Sequence, residues 1–299
     1  IEKFRATLAA AEPRLYPRDI AARLGVTEAD IVAIDEGHTA TRLRRDWRAM
    51  LGDFHTLGHV MAMTRNADAV HEKTGTFGPL QGGGHVALFV GEAMDHRLFL
   101  GSWRAAWAAE QNGRRSLQFF AADGSAVLKV FATGQTDMVA WEALIGKYAA
   151  PDLAPFIAKT PKPPAPERGD AEIDVAGLHA AWDAMADTHQ FHGLLSKFDV
   201  TRTQAFRLAG AGRARKVVNG TVRAVLQRAA EVQMPIMVFV GNPGCIQIHT
   251  GLVTNLKRMG PWFNVLDPDF NLHLREDAID SAFIVRKPTR DGDVTSLEL

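Results

Sequence analysis

Apolar residues in the stretch 187–198 fall at Phe191, Leu194, Leu195 and Phe198, three and four residues apart. That spacing puts them on one stripe of a short amphipathic helix. A second helical pattern opens at Thr201-Arg202 and runs through Ala205, Phe206 and Leu208. The first fifty residues also read as helical, and residues 20–31 have the form helix, turn, helix. Gly25 is placed to end one helix and Thr27 to cap the next. Elsewhere the pattern changes to β-rich runs at 86–90, 97–100, 116–120, 126–131, 236–240, 245–249, 263–266, 272–274 and 284–286. These are expected strands. Asp123-Gly124, between two of them, predicts a tight hairpin. Phe239 is expected at an inward-facing position of its strand, as core. Strands joined by short turns favour antiparallel pairing.

The pattern also repeats. Val200-Thr201 matches Val26-Thr27 at an offset of 174, and 236–242 matches 60–66 at 176. Thr250-Gly251 matches Thr74-Gly75 at 176, and Ser296-Leu297 matches Ser116-Leu117 at 180. The chain is therefore read as an internal duplication of class α+β. Two similar halves each begin with helices and continue into a largely antiparallel sheet. The expected organisation is a first repeat over 1–150, a linker over 151–170 and a second repeat over 171–299. The linker holds six of the fourteen prolines, which makes it extended and semi-rigid. Leu299 aligns with Phe119, after which the first copy continues through a hairpin and a helix near 138–148. A C-terminal continuation is expected beyond Leu299. The chain opens on Ile1 rather than Met, so its natural start is expected to be missing as well.

Composition narrows the function classes. Lys plus Arg and Asp plus Glu both number 34, so no overall basic field exists to hold nucleic acid. The helix–turn–helix pattern alone suggests a DNA-binding regulator. Glu28, Asp30, Asp35 and Glu36 in its second half would repel phosphates, and the pattern's recurrence in the second repeat favours a structural role. The single cysteine, Cys245, excludes an internal disulfide and fits a reducing compartment. No apolar run approaches the ~20 residues of a membrane span, and no signal-peptide core is present. A cytoplasmic location without membrane insertion is expected. Gly82-Gly83-Gly84 lacks the strand-to-helix context of a phosphate loop and is read as a plain loop.

His189 and His192 stand three apart, as neighbours on a helix surface. Neutral imidazole is a common ligand for metals, including haem iron. From spacing alone, surface histidines are the favoured reading, because an isolated pair of this kind is a weak signal.

Longer strings change the weighing. Asp187-Thr188-His189-Gln190-Phe191 and residues 201–208 resemble the cytoplasmic haem-utilisation, hemin-degrading family of the HemS, HmuS and ChuS type. So do residues 63–66, 70–75, 114–120, 244–251, 260–268 and 270–274, which extends the resemblance over nearly the whole chain. The resemblance implies a cytoplasmic protein of haem and iron acquisition that binds one haem b between its halves. It makes His189 the iron ligand, with His192 a spare ligand nearby. Arg97 becomes the group at the opposite face, beside Phe99, two residues along the same strand. Arg202 and Lys287 become partners for the haem propionates, although Arg286 beside Lys287 is chemically equivalent. Phe239 gains a modest claim to ring stacking. His189 aligns near Leu15, so only the second copy has the histidine.

Two functions follow from the family: a carrier that receives haem and hands it on, or an enzyme that opens the porphyrin with oxygen. No flavin or nicotinamide motif is present, so reductant for the second would come from a partner. The expected partners are haem itself, with a haem importer or a downstream haem-degrading or reductase protein. Nucleic acid is disfavoured.

Overall fold

The computed structural model describes residues 16–299 apart from 112, 162 and 164. Leu15, the expected counterpart of His189, lies outside the described residues. The chain forms two compact units. One holds the described residues up to Pro161 together with Ala229–Leu274; the other holds the described residues of 162–228 with Arg275–Leu299.

In chain order the elements of 16–148 are α1 (Pro17–Leu24), α2 (Glu28–Ala33), β1 (Ala40–Leu43), α3 (Trp47–Gly52), β2 (Gly58–Arg65), β3 (Ala69–Thr76), β4 (Val86–Phe89), β5 (Asp95–Phe99), β6 (Trp103–Gln111), β7 (Arg114–Ala121), β8 (Ala126–Thr136) and α4 (Met138–Tyr148). They continue with α5 (Val175–Asp183), α6 (Gln190–Phe198), α7 (Arg202–Leu208), β9 (Ala214–Val217) and α8 (Thr221–Glu231). The chain closes with β10 (Ile236–Asn242), β11 (Cys245–Gly251), β12 (Leu256–Met259), β13 (Trp262–Leu266), β14 (Phe270–Arg275), β15 (Ala282–Thr289) and β16 (Gly292–Glu298).

The first unit is built on a nine-stranded sheet, β1-β6-β7-β8-β2-β3-β14-β13-β12, and a four-stranded one, β10-β11-β5-β4. Its main core gathers Phe54, Phe89, Leu98, Trp103, Phe119, Trp141 and Cys245. Strands of the second repeat pair here with strands of the first, reciprocally. Leu274 of β14 lies opposite Ala69 of β3, and Leu98 of β5 lies opposite Cys245 of β11. A shift of 176 residues turns one pair into the other. The duplication is thus expressed as an exchange of equivalent strands.

The second unit is smaller. It carries α5, α6 and α7 and the three-stranded sheet β16-β15-β9. Leu178, Trp182, Phe191, Leu194, Phe206, Phe283 and Val285 form its core, with Leu195 and Phe198 packed at the margin. The stripe expected from spacing therefore does face inward.

The helix boundaries follow from local chemistry in both repeats. Gly25 ends α1 in the left-handed conformation at φ 64, and Thr27 caps α2 in a capping box with Asp30. Asp199 ends α6 at φ 51, and Thr201 caps α7 by accepting from Gln204 N at 3.1 Å. The Asp123-Gly124 hairpin joins β7 to β8, with Gly124 at φ 78.

Three expectations need correction. Residues 40–43 are strand, not helix, because β1 pairs with β6. The Ala-rich β6, Trp103-Arg104-Ala105-Ala106-Trp107-Ala108-Ala109, was not among the expected strands. It lies inside the nine-stranded sheet with both faces largely covered, so burial overrides weak propensity. Phe239 is not core. It is 56% exposed, because β10 is the edge strand of the four-stranded sheet and turns Met237 and Phe239 to the open face.

Candidate functional site

His189 sits at the position before α6, in the turn that begins at Ala186. The turn is tied by side chains. Gln190 Oε1 accepts from the backbone N–H groups of Ala186 at 2.8 Å and Asp187 at 3.3 Å. Asp187 Oδ1 accepts from His189 N at 2.8 Å and lies 2.6 Å from His189 Nδ1. The backbone N–H of His189, and then its ring, hold the Asp187 carboxyl below the usual range. An ionised carboxylate only accepts, so Nδ1 carries the proton of the neutral ring. The lone pair is then on Nε2. A carboxylate held against Nδ1 in this way fixes the tautomer and orientation of an imidazole and leaves Nε2 able to bind a metal. The imidazole is 79% exposed and lines a cleft of about 540 Å³ with Ala186, Asp187, Gln190, Arg290 and Asp291. Arg290 and Asp291 form the turn of the β15–β16 hairpin, fastened by Arg290 N donating to Ala186 O at 3.1 Å. His192 is exposed one turn on.

Phe191, two residues after His189, carries two cations on its ring. Lys287 Nζ lies 4.7 Å and the Arg202 guanidinium 5.2 Å from the ring centroid. Both contact a carboxylate absent from the sequence expectation, Glu298. Arg202 Nε donates to Glu298 Oε2 at 2.7 Å, with Nη2 of the same ion pair 2.6 Å from that oxygen, and Lys287 Nζ donates to Oε1 at 2.5 Å. Burial disfavours ionised Glu298, but Lys287 and Arg202 outweigh it and its pKa is lowered. On Lys287 burial is the largest influence, and its pKa falls despite Glu298. The Lys287 side chain is 7% exposed and that of Arg202 51%. Lys287 and Arg286 lie on opposite sides of β15. Arg286 points to solvent and pairs with Asp293 at 3.1 Å.

In the first unit, Arg97, Phe99 and Phe239 share one face of the four-stranded sheet. Arg97 lies opposite Ile246 and Leu88, Phe99 opposite Val86, and Phe239 opposite Ile248. Directly paired residues project to the same side, so this is an open, mostly apolar face with one guanidinium on it. Arg97 Nη1 donates to Asp95 Oδ1 on the same strand. The opposite side of β5 is closed: His96 and Leu98 are fully buried.

Three other histidines of that unit, His71, His96 and His249, lie in its interior. His71 and His96 are fully buried, and among the described residues their ring nitrogens meet no partner at good hydrogen-bond geometry, although Gln247 lies near His96 and the Val238 backbone near His71. Burial drives His96 to about 3 and His71 well below its ordinary value, so both are neutral. His249 stacks on Phe270 at 3.8 Å and contacts Leu252 O through Nε2 at 3.1 Å. The helix–turn–helix pattern is likewise structural. Glu28, Ala29, Ile31 and Val32 of α2 are buried, and Glu28 is paired with Arg65 and Lys129.

Asp187 and Gln190 belong to the recognisable string around His189, but their tying of the turn became visible only with the fold. Nothing local marks Arg290 or Glu298, which reach the site through the β15–β16 hairpin.

The fold and these side chains define a duplicated α+β protein in which one repeat presents an oriented histidine at the start of α6 and a cation pair on the ring of Phe191. Comparison supplies the family. The family described as "Haemin-degrading HemS.ChuX domain" matches residues 25–148 and again 199–299, and the chain belongs to it. Among curated relatives, "Hemin transport protein HmuS" of Yersinia pestis is 42% identical over 97% of this chain and 85% of that protein. "Hemin transport protein HemS" of Yersinia enterocolitica is 40% identical over 96% and 84%. Among solved structures, holo-PhuS, a heme-binding protein from Pseudomonas aeruginosa, superposes with a TM-score of 0.95 at 46% identity, covering 99% of this chain and 88% of that one. ChuS, described as an Escherichia coli heme oxygenase, gives 0.89 at 38% identity, covering 100% and 90%. Among the described residues no helix is long and apolar enough to cross a membrane.

Proposed function

We propose that this chain binds one haem as cargo and carries it in the cytoplasm, with His189 Nε2 as the iron ligand. The observation that carries the reading is the exposed His189 imidazole, which lines a cleft and whose Nδ1 is engaged by Asp187. Iron ligation needs a neutral imidazole with a free lone pair, held in a fixed orientation. The relatives' printed roles in heme binding and hemin transport support the same ligand. Arg202 and Lys287 act as the propionate partners, since a guanidinium fork and an ammonium suit carboxylates. Arg97, Phe99 and Phe239 offer a cation and an aromatic surface to the porphyrin. His192 is a second ligand available one turn along. A haem importer upstream and a haem-consuming protein downstream are the partners such a carrier requires.

Titration with haem tests this. One equivalent per chain should saturate binding, with a Soret band of histidine ligation. His189→Ala should weaken binding, and the His189→Ala/His192→Ala double variant should lose the ligation signature. Saturation at two equivalents, or an unchanged spectrum in the double variant, would sink the assignment. A second reading, oxygen-dependent ring opening, is favoured by the likeness to ChuS. Haem loaded without oxygen and then given oxygen and reductant separates the two. Ring-opened product with iron release supports the enzyme, and recovery of intact haem supports the carrier.

A further inference from the structure

The cations assigned to the propionates are already occupied. Glu298 holds the Arg202 guanidinium on one oxygen, accepting from Nε, and the Lys287 ammonium on the other. Among the described residues Lys287 Nζ has no other hydrogen-bond partner, and its side chain is nearly closed to solvent. A carboxylate already sits where a ligand carboxylate would have to bind. The cluster of Arg202, Lys287 and Glu298 has one net positive charge rather than two.

We propose that Glu298 is an internal competitor for the haem propionate: it holds the two cations together in the empty protein and yields them to the ligand. This inference rests on the haem reading above and adds a residue that tunes affinity. A protein that must release its cargo benefits from a carboxylate ready to reoccupy the site, because re-pairing of Arg202 and Lys287 with Glu298 compensates the departing propionate. Glu298 can shift between partners. Its second interaction, with Ser296 Oγ at 3.1 Å, comes from its own strand and does not depend on the cations.

The first repeat shows that the position accepts a neutral amide. Lys287 pairs with Val294 on β16, and Gln111 pairs with Arg114 on β7, so Glu298 corresponds to Gln118. Gln118 is buried and donates to Ser116 Oγ at 2.9 Å, in the place where Glu298 accepts from Ser296. Glu298→Gln is therefore compatible with the sheet.

The experiment compares haem with haem dimethyl ester, which lacks the anionic groups, on wild type, Glu298→Gln, Lys287→Met and Lys287→Met/Glu298→Gln. Glu298→Gln should bind haem about tenfold tighter, mainly through slower release, with the gain shrinking at high salt. Its affinity for the ester should change by less than about twofold. The double variant removes the buried pair and frees Arg202, and it decides the matter if the single variant does not fold: it should bind haem tighter than Lys287→Met, which lacks the same propionate partner but keeps Glu298. Unchanged or weaker haem binding by the folded Glu298→Gln variant, or in its place by the double variant against Lys287→Met, overturns the competitor role. An equal gain for haem and ester overturns it too. If wild type binds haem and ester equally, the propionate reading itself fails and this inference falls with it.

Discussion

Thr27 and Thr201 cap equivalent helices, and the residue after each cap carries opposite charge: Glu28 in the first repeat, Arg202 in the second. Glu28 is buried between Arg65 and Lys129. Arg202 is half exposed and reaches Glu298. The difference extends along the sheets, where Lys287 and Glu298 correspond to the uncharged Gln111 and Gln118. One scaffold has been used twice, once to close a polar interior and once to hold two cations on the ring of Phe191. A charged cluster sealed from water contributes to folding only while complete, whereas a half-open one remains available to a ligand.

The sharpest way to break the comparison is on the buried side. Glu28→Gln should destabilise the protein by about 3 kcal/mol in denaturant melts, because two buried cations lose their carboxylate. A loss below about 1 kcal/mol would mean that Lys129, which burial already lowers to about 7, simply sheds its proton at little cost.

Acid should expose a second contrast. His96 stands where the second repeat has Leu272, since the pairs His96–Gln247 and Leu272–His71 are equivalent. The folded protein holds His96 neutral with a pKa of about 3, below the ordinary value near 6.5. Above that ordinary value neither state is protonated and no stability is lost. As pH falls below it, the unfolded chain takes up a proton that the folded chain refuses, and stability declines until pH reaches the folded pKa. The slope from His96 should be about 1.4 kcal/mol per pH unit. His96→Leu should flatten the profile between about pH 6 and 4; an unchanged slope would show that His96 is not the group concerned.

On the open side the effect moves from folding to binding. Arg202→Ala should weaken haem binding by about 1.5–3 kcal/mol, with a smaller loss for the dimethyl ester. Folding stability should change by less than about 1 kcal/mol, as expected of a half-exposed pair. Equal losses for haem and ester would make Arg202 a support for α7 rather than a carboxylate partner.

Much of the local structure was legible in the residues. The caps at Thr27 and Thr201, the stop at Gly25, the Asp-Gly hairpin and the buried stripe of α6 depend on neighbours a few positions away. The string around His189 and the offsets near 176 were legible for the same reason: each is contained in a short segment or its copy. Other features required the fold. Ala-rich β6 is a strand because it is covered on both faces, and Phe239 is exposed because β10 lies at a sheet edge. The choice of Lys287 over Arg286 depends on which side of β15 faces Phe191. Glu298 is significant only because β16 brings it beside both cations. The reciprocal pairing of β3 with β14 and β5 with β11 joins residues more than a hundred positions apart, and a repeat offset cannot say which strands exchange. Sequence determined the interactions that close within a few residues; those set by sheet order, register and burial were decided only when distant segments met.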